Sequence, residues 1–239
     1  MFTSPALSSG HSSVVAQPGN FHLTAFLADA AERWPTRTLT VDGMELTYEK
    51  AWYKVLQIAT WLQQNGVGRG DKVLTVIRNS PDLHLITLAV AHMGGVISVL
   101  SPQMRAEGFQ QILAECQPVC VFLEKTTRHL KNSVDNILTV WMDADLSTGG
   151  WEEAEFSEVM ATAPAWGMRF PGSSDDPAFL VYSGTASNTS PGVLLSHNRV
   201  RSFFDQGRGM NDVLSIFESG RNAESEVPAE SFIALSGDL

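Results

Sequence analysis

The chain has 239 residues, of which 44% are hydrophobic and 18% are charged. This is the composition of a globular protein that is long enough for one α/β domain, and it excludes a disordered polymer. The 16 lysines and arginines against 26 acidic residues leave a net charge of -10, which opposes broad binding of nucleic-acid backbones.

Sequence features that would direct the chain to a membrane or an oxidising compartment are missing from the pattern. No basic start followed by an apolar run is present, so we expect no signal peptide. The longest apolar stretch, Leu85–Leu100, is interrupted by His92 and two glycines, so we expect no membrane span. Cys116 and Cys120 lack a nearby histidine cluster and are expected to be reduced thiols, not metal ligands. Together these features predict a cytoplasmic protein.

Helices and strands are predicted to alternate along the middle of the chain. The first helix is expected to end at Trp34-Pro35, because the residue before a proline disfavours helix. Apolar spacing predicts further helices at about Tyr48–Gln64, Asp82–Met93 and Ala106–Cys116. The predicted strands are Thr38–Val41, Leu46–Tyr48, Lys72–Ile77, Val96–Leu100, Val119–Leu123, Ile137–Met142 and Ala178–Tyr182. The repeated order of strand, helix and strand predicts an α/β fold with a parallel sheet flanked by helices.

Several short motifs mark where these elements begin and end. Asp42-Gly43 is typical of a hairpin turn, and Gly66 is placed to end a helix in the left-handed conformation. Ser80-Pro81 predicts a helix start. The turn GVGRGD precedes a strand, whereas a dinucleotide fingerprint precedes a helix, so we interpret this turn as structural.

The chain is predicted to have one folded unit, residues 21–205, between two less determined ends. Residues 1–20 are rich in serine, glycine and proline and predict a flexible tail. Residues 206–239 are acidic and weakly periodic, and are predicted to be a second tail. Within the unit, residues 143–177 are expected to be a surface connection with one short helix near Trp151–Met160.

The most informative segment is a polar loop between two apolar runs. The loop Ser183–Pro191 follows the predicted strand Ala178–Tyr182 and precedes the run Gly192–Leu195. Small residues allow backbone N–H groups to point inward, and hydroxyl groups add further donors, so such a loop can hold a polyphosphate. On composition alone, a plain polar hairpin explains the loop as well.

The segment VYSGTASNTSPGVLLSHNR resembles the phosphate-binding motif YTSGTTGxPKGVxLSHxN of the adenylate-forming superfamily. This superfamily includes acyl-CoA synthetases, luciferases and the adenylation domains of nonribosomal peptide synthetases. A second segment, residues 45–102, resembles the family's LTYxEL opening, its GVxxGDxV turn and its NSPE-type helix in the same order. The resemblance extends from Phe21 to about Phe204.

The resemblance implies the N-terminal α/β subdomain of an acyl-activating ligase, in which a carboxylate attacks the α-phosphate of ATP. ATP with Mg²⁺ is the expected cofactor, a small carboxylic acid the expected substrate, and no metal-ligating or catalytic side chain is assigned. Coenzyme A or a carrier pantetheine is expected only if a partner chain completes the enzyme. The residues expected to bind nucleotide are Ser183, Gly184, Thr185, Ser187, Thr189, Ser190, Gly192 and His197.

The motif also departs from the family pattern in ways that leave catalysis open. The loop is one residue longer, and Ser190-Pro191 replaces the proline-lysine pair. No lysine follows Lys131, so the loop lacks the lysine that would place a positive charge against the phosphate oxygens. In this sense the phosphate-binding loop is degenerate. The alternatives are therefore a non-catalytic remnant that acts as a binding or scaffold module, or half of a split enzyme that needs a second chain. For His197, packing against the sheet is as good an interpretation as a ligand contact.

Overall fold

The computed structural model describes residues 21–41, 44–143, 153–182 and 192–205. A seven-stranded sheet forms its centre, with strand order β7-β6-β5-β3-β4-β8-β9. All neighbouring strands of this sheet are parallel except β8 and β9, which form an antiparallel pair. Its strands are β3 (Lys72–Val76), β4 (Val96–Val99), β5 (Cys120–Leu123), β6 (Leu138–Trp141), β7 (Glu153–Glu155), β8 (Pro177–Val181) and β9 (Val193–Ser196). The strands β1 (Thr38–Val41) and β2 (Met44–Thr47) form a separate antiparallel pair.

Two of the described helices begin after a residue whose side chain accepts a hydrogen bond from a backbone N–H of the first turn. Thr47 accepts from the Lys50 N–H at the start of α2, and Ser80 accepts from the Leu83 N–H at the start of α3. The helices are α1 (Ala25–Arg33), α2 (Tyr48–Gln64), α3 (Pro81–His92), α4 (Ala106–Cys116), α5 (Phe156–Ala161) and α6 (His197–Asp205). A 3₁₀ segment, Lys125–Ser133, connects β5 to β6.

Helices cover both faces of the sheet, which confirms the predicted α/β class. Apolar side chains of α1, α2, α3, α5 and α6 pack in one core cluster on one face. The other cluster is built from α4 and the 3₁₀ segment. Successive residues of the central strands enter opposite clusters, as Phe179 and Leu180 of β8 do, because side chains alternate along a strand. Residues 83–92 of α3 are all buried, which explains the lack of a polar face on this helix.

The structure differs from the sequence prediction between β6 and β8. The short helix expected near Trp151–Met160 is preceded by the edge strand β7, and α5 begins only at Phe156. The helix start is set by a capping box in which the Glu155 N–H donates to the Glu158 carboxylate at 3.3 Å, so that the helix begins directly after Glu155. Ala154 is buried in the sheet, which fixes β7 in its register. The 3₁₀ segment was not predicted from the sequence.

The structure confirms the left-handed glycine at the end of α2 and the structural role of the GVGRGD turn. Gly66 has φ +85° at the end of α2, and Gly70 of the GVGRGD turn has φ +83°. The Gly68 N–H in that turn donates to Asp71 Oδ2 at 2.8 Å, so the motif is a closed structural turn. Cys116 and Cys120 are free and buried.

The described residues contain neither a membrane-spanning helix nor a group of three potential metal ligands. No helix within 21–41, 44–143, 153–182 and 192–205 has both the length and the apolar character needed to cross a membrane. Over the same ranges, no three histidine, cysteine or acidic side chains come together as a metal site.

Candidate functional site

The polar loop predicted to bind phosphate lies outside the described residues. This holds for Ser183, Gly184, Thr185, Ser187, Thr189 and Ser190. Both flanks of the loop are described, because Tyr182 precedes it and Gly192 follows it. Val181 of β8 pairs with Val193 of β9, so the two ends of the loop leave the sheet side by side.

The loop leaves the sheet at the edge where the parallel strands end. β8 is parallel to β4, and β4 is parallel to β3, so the carboxyl ends of these three strands meet at one edge. In open α/β sheets, ligands bind in crevices at this edge. β8 is firmly placed there, since Ala178, Phe179 and Leu180 are at most 1% exposed.

Gly192 is held from several sides at the C-terminal flank of the loop. A Cβ atom at this position would lie 2.6 Å from Leu180 Cδ1 and 3.0 Å from Cε1 of the Tyr182 ring. Both distances are shorter than normal contacts of a Cβ atom, so a larger residue here would force the buried Leu180 and Tyr182 side chains to shift. The Gly192 N–H donates to Glu115 Oε1 of α4 at 2.9 Å. Of the predicted site residues, Gly192 is one of the two that the structure describes, and its part in binding nucleotide stays a prediction.

Tyr182 forms the N-terminal flank of the loop and is buried. Burial raises the pKa of its phenol, and burial likewise raises the pKa of the neighbouring Cys116 thiol to about 12. The Tyr182 hydroxyl makes no well-aligned hydrogen bond to any described residue, although the Cys116 thiol of α4 lies close enough to interact with it. Both groups are uncharged near neutral pH, so this flank is neutral.

His197 lies at the opposite end of β9 from Gly192. The four residues of β9 lie between the two, so five steps along extended chain separate them, which corresponds to roughly 17 Å. The His197 ring is fully buried, and its Nδ1 accepts a hydrogen bond from the Leu23 N–H at 3.1 Å. Its ring meets that of Phe170 edge-on, with centroids 4.8 Å apart. Burial lowers the pKa of His197 to about 4, so the ring is neutral.

The structure therefore does not bring His197 and Gly192 together. The described contacts of the His197 ring are with the protein, and they agree with the packing interpretation of this residue. Its Nε2 atom is buried and has no hydrogen-bond partner in the described ranges. A contact of His197 with the nucleotide stays a prediction.

A charged contact fixes the start of β8 on the side of the sheet away from the loop. Arg69 donates to Asp176 Oδ2 from Nε at 3.1 Å and from Nη2 at 2.7 Å. Desolvation raises the pKa of Asp176, but hydrogen bonds from Ser173 and Arg69 outweigh it and lower the pKa overall. The GVGRGD turn thus anchors the strand that leads into the loop.

Sequence reasoning missed Glu115, which contacts the loop flank. It is 77 residues away from Gly192 in the chain and occupies an exposed helical position. No pattern in the sequence marks such a contact, because only the packing of α4 against the sheet brings it there.

The comparisons with known proteins agree with this arrangement. The family model of AMP-binding enzymes matches residues 27–222. An L-proline--[L-prolyl-carrier protein] ligase of Pseudomonas fluorescens is 25% identical over 178 residues, 72% of this chain and 34% of that protein. A 4-coumarate--CoA ligase-like protein of Arabidopsis thaliana is 26% identical over 189 residues, 76% of this chain and 34% of that protein.

Solved structures show the same fold. A benzoate CoA ligase from Burkholderia xenovorans matches with a TM-score of 0.67 at 17% identity, over 83% of this chain and 44% of that one. A luciferase-like enzyme from the mealworm Zophobas morio matches with a TM-score of 0.66 at 19% identity, over 82% of this chain and 51% of that one. The chain spans about a third of the length of these curated relatives and about half of these solved structures. Because the family model covers most of the chain, this protein belongs to the family of AMP-binding enzymes.

Proposed function

We propose that this chain is the nucleotide-binding, N-terminal part of an acyl-activating ligase that adenylates a small carboxylic acid. The observation that carries the proposal is the family match over residues 27–222, which includes the motif between β8 and β9. The described flanks of the motif, Tyr182 and Gly192, lie at the carboxyl end of β8, the edge at which α/β sheets bind ligands. ATP with Mg²⁺ is the proposed cofactor.

In the proposed reaction, a carboxylate oxygen attacks the α-phosphorus of ATP, and pyrophosphate leaves. The products are an acyl-adenylate and pyrophosphate, and a thiol then takes the acyl group as AMP leaves. The loop would hold the β- and γ-phosphates through its backbone N–H groups and its hydroxyls. The proposed phosphate-binding residues are Ser183, Gly184, Thr185, Ser187, Thr189 and Ser190. Gly192 would contribute as the tightly packed flank of the loop, because its N–H already donates to Glu115. His197 follows β9 directly, and its proposed contribution is to hold the C-terminal end of that strand in place.

A second candidate function is a non-catalytic binding module of the same fold. The observation in its favour is that no lysine follows Lys131, so the loop has hydroxyl groups where the family motif has a lysine. Neutral donors to phosphate are about half as strong as charged ones. In this case the loop would bind nucleotide weakly or not at all.

A partner chain is a further part of the proposal. Since the chain spans about a third of its curated relatives, the acyl pocket and the thiol site would come from additional sequence. Coenzyme A or a carrier pantetheine would bind only in that complete assembly. The free thiols of Cys116 and Cys120 fit a reducing compartment, which supports a cytoplasmic location.

Thermal unfolding of the 239-residue chain with and without Mg-ATP tests the nucleotide site. Ligand at 100 times its Kd adds about 2.7 kcal/mol of stability, which raises Tm by about 5–11 °C for a chain of this size. Ser183→Ala/Thr185→Ala should abolish most of this rise. Ser157→Ala, which changes an exposed serine on α5, should leave it intact. A cooperative transition that Mg-ATP does not move would reject nucleotide binding and favour the second candidate.

A further inference from the structure

Residues 21–24 form a buried segment that contacts both α3 and α6. The side chains of Leu23 and Thr24 are fully buried, although neither residue belongs to a helix or a strand. Two histidines hold the segment. The Leu23 N–H donates to Nδ1 of His197 at the start of α6, and the Thr24 hydroxyl lies 3.1 Å from Nδ1 of His92 in the last turn of α3. We call these two contacts the histidine latch.

The position of the hydrogen on His92 follows from its partners. The Met168 carbonyl can only accept, so His92 Nε2 carries the hydrogen of their 3.3 Å bond. In the neutral ring, Nδ1 is then the acceptor for the Thr24 hydroxyl. The Thr24 oxygen in turn accepts from His22 Nδ1 at 3.0 Å. The bond between Thr24 and His92 thus depends on a lone pair that a proton would occupy.

His197 depends on the same kind of lone pair. Its Nδ1 accepts the Leu23 N–H, so a proton on this atom would leave two donors facing each other inside the protein. The ring is fully buried, and its Nε2 has no hydrogen-bond partner within the ranges that the structure describes. A positive charge on this ring is costly, because burial removes its hydration.

The surroundings of the two rings oppose protonation on balance. Burial is the largest influence and lowers the pKa of both His92 and His197 to about 4. The Met168 carbonyl partly offsets burial at His92, and the negative charge of Asp176, just before β8, does so at His197. His22 acts in the opposite direction, because its positive charge would disfavour a proton on either ring.

We propose that the histidine latch is acid-sensitive, and that residues 21–24 leave the domain when His92 and His197 take up protons while the central sheet stays folded. In the released state both rings reach water and have the ordinary histidine pKa of about 6.5, so they bind protons that the latched state does not bind. The latch therefore has its full stability above about pH 6.5 and loses it as the pH falls toward 4. The sheet is held by backbone bonds and apolar clusters, which do not titrate.

Hydrogen exchange of the Leu23 amide, followed by NMR, reports on the latch directly, because this N–H is the one bound to His197. Its protection factor is the intrinsic exchange rate divided by the observed rate. We expect this factor to fall by about tenfold or more for each histidine, hence about hundredfold, between pH 7.5 and pH 4.5. Amides of β5, which pairs with β3 and β6, should keep much higher protection factors at both pH values.

The substitution His197→Asn separates titration from the hydrogen bond. The asparagine oxygen can accept the Leu23 N–H but does not bind a proton, so the fall in the Leu23 protection factor should be about tenfold smaller than in the wild type. His129→Asn is the matched control. His129 is exposed and bonds to the Met104 carbonyl, so this variant should show the full wild-type fall.

Three results would overturn the proposal. The first is a Leu23 protection factor that does not change with pH in the wild type. The second is an equal fall at Leu23 and in β5, which would mean that the whole domain unfolds without local release. The third is a fall in His197→Asn as large as that in the wild type. If His197→Asn does not fold at pH 7.5, the wild-type pH series decides alone. None of these measurements uses nucleotide, so their outcome does not depend on the proposed function.

Discussion

At the scale of single residues, Gly192 shows how packing limits what the loop motif tolerates. The residue does not need an unusual backbone conformation, since it is absent from the positions with positive φ. It needs the missing side chain, because Leu180 and Tyr182 fill the space that a Cβ atom would occupy. The glycine of the motif is therefore a packing requirement of the β8–β9 hairpin as well as part of the proposed phosphate site.

We expect Gly192→Ala to destabilise the protein by about 1–3 kcal/mol, because overpacking a well-filled site forces neighbouring side chains to move. Urea unfolding followed by circular dichroism measures this change. Gly167→Ala is the matched control, since no atom lies within 4 Å of a Cβ built there, and its effect should stay within about 0.5 kcal/mol. Equal midpoints for the two variants would show that the site at Gly192 can relax without cost.

Individual residues differ in how far the sequence alone predicts their role. In the sequence, His92 only interrupts an apolar stretch, whereas the structure buries it in the core at 3% exposure. Glu115 was not assigned any role, because a contact between α4 and the loop depends on helix packing that no local pattern encodes. The residues of the loop itself, such as Ser183 and Thr185, were selected by motif and remain predictions.

At the scale of elements, the N-terminal segment 21–24 is held to the domain by histidines from two helices. His92 of α3 bonds to the Thr24 hydroxyl through Nδ1 at 3.1 Å, and His197 of α6 accepts the Leu23 N–H. His22 stacks on Phe170 with centroids 4.6 Å apart. These contacts require a neutral ring at His197, since a protonated Nδ1 has no lone pair for the Leu23 N–H.

The same contacts predict a loss of stability in mild acid. Burial lowers the pKa of both His92 and His197 to about 4, whereas an unfolded histidine has a pKa near 6.5. The unfolded chain therefore binds more protons between these values, so the stability is fully present above about pH 6.5 and is lost as the pH falls toward 4. His22 adds to this effect by its charge, while Asp176 opposes it at His197.

Replacing His197 by asparagine tests this pH dependence. The asparagine side chain can offer an oxygen to the Leu23 N–H but does not titrate, so we expect the urea midpoint of His197→Asn to fall less between pH 7.5 and pH 4.5. Between these two pH values, the free energy of unfolding of the variant should fall by on the order of 1 kcal/mol less than that of the wild type. The variant must first be shown to unfold cooperatively at pH 7.5. Parallel pH profiles for the variant and the wild type would contradict the role given to His197.

Among the elements, those with strong periodicity were predicted well and those defined by tertiary contacts were not. The stripe of α2 and the apolar run of α3 identified both helices, and α4 was predicted with the bounds that the structure shows. The edge strand β7 has only three residues, which is too short for its alternation of acidic and apolar side chains to be recognised as a strand in the sequence. It forms because β6 offers an open edge beside it.

At the scale of the whole molecule, the net negative charge bears on the proposed nucleotide site. The net charge of -10 repels an anionic ligand over long distances, and the loop has no lysine to offset this repulsion. The chain therefore has the parallel sheet and helical layers of the family, but its loop lacks the positive charge that the lysine of the family motif supplies. The sequence predicted the scaffold because periodicity encodes it, whereas ligand affinity depends on a few charges in the loop.

Restoring the lysine of the family motif should therefore strengthen nucleotide binding. In Ser190→Pro/Pro191→Lys the new ammonium group supplies a charged donor for phosphate, and we expect a Kd for Mg-ATP about five- to tenfold lower than in the neutral control Ser190→Pro/Pro191→Gln. Calorimetric titrations at 20 mM and 200 mM salt check the cause. The advantage of lysine over glutamine should shrink at the higher salt concentration, because screening weakens exposed charge pairs. An advantage that does not depend on salt would point to a change in loop conformation, and equal affinities at both concentrations would mean that phosphate does not bind where the motif places it.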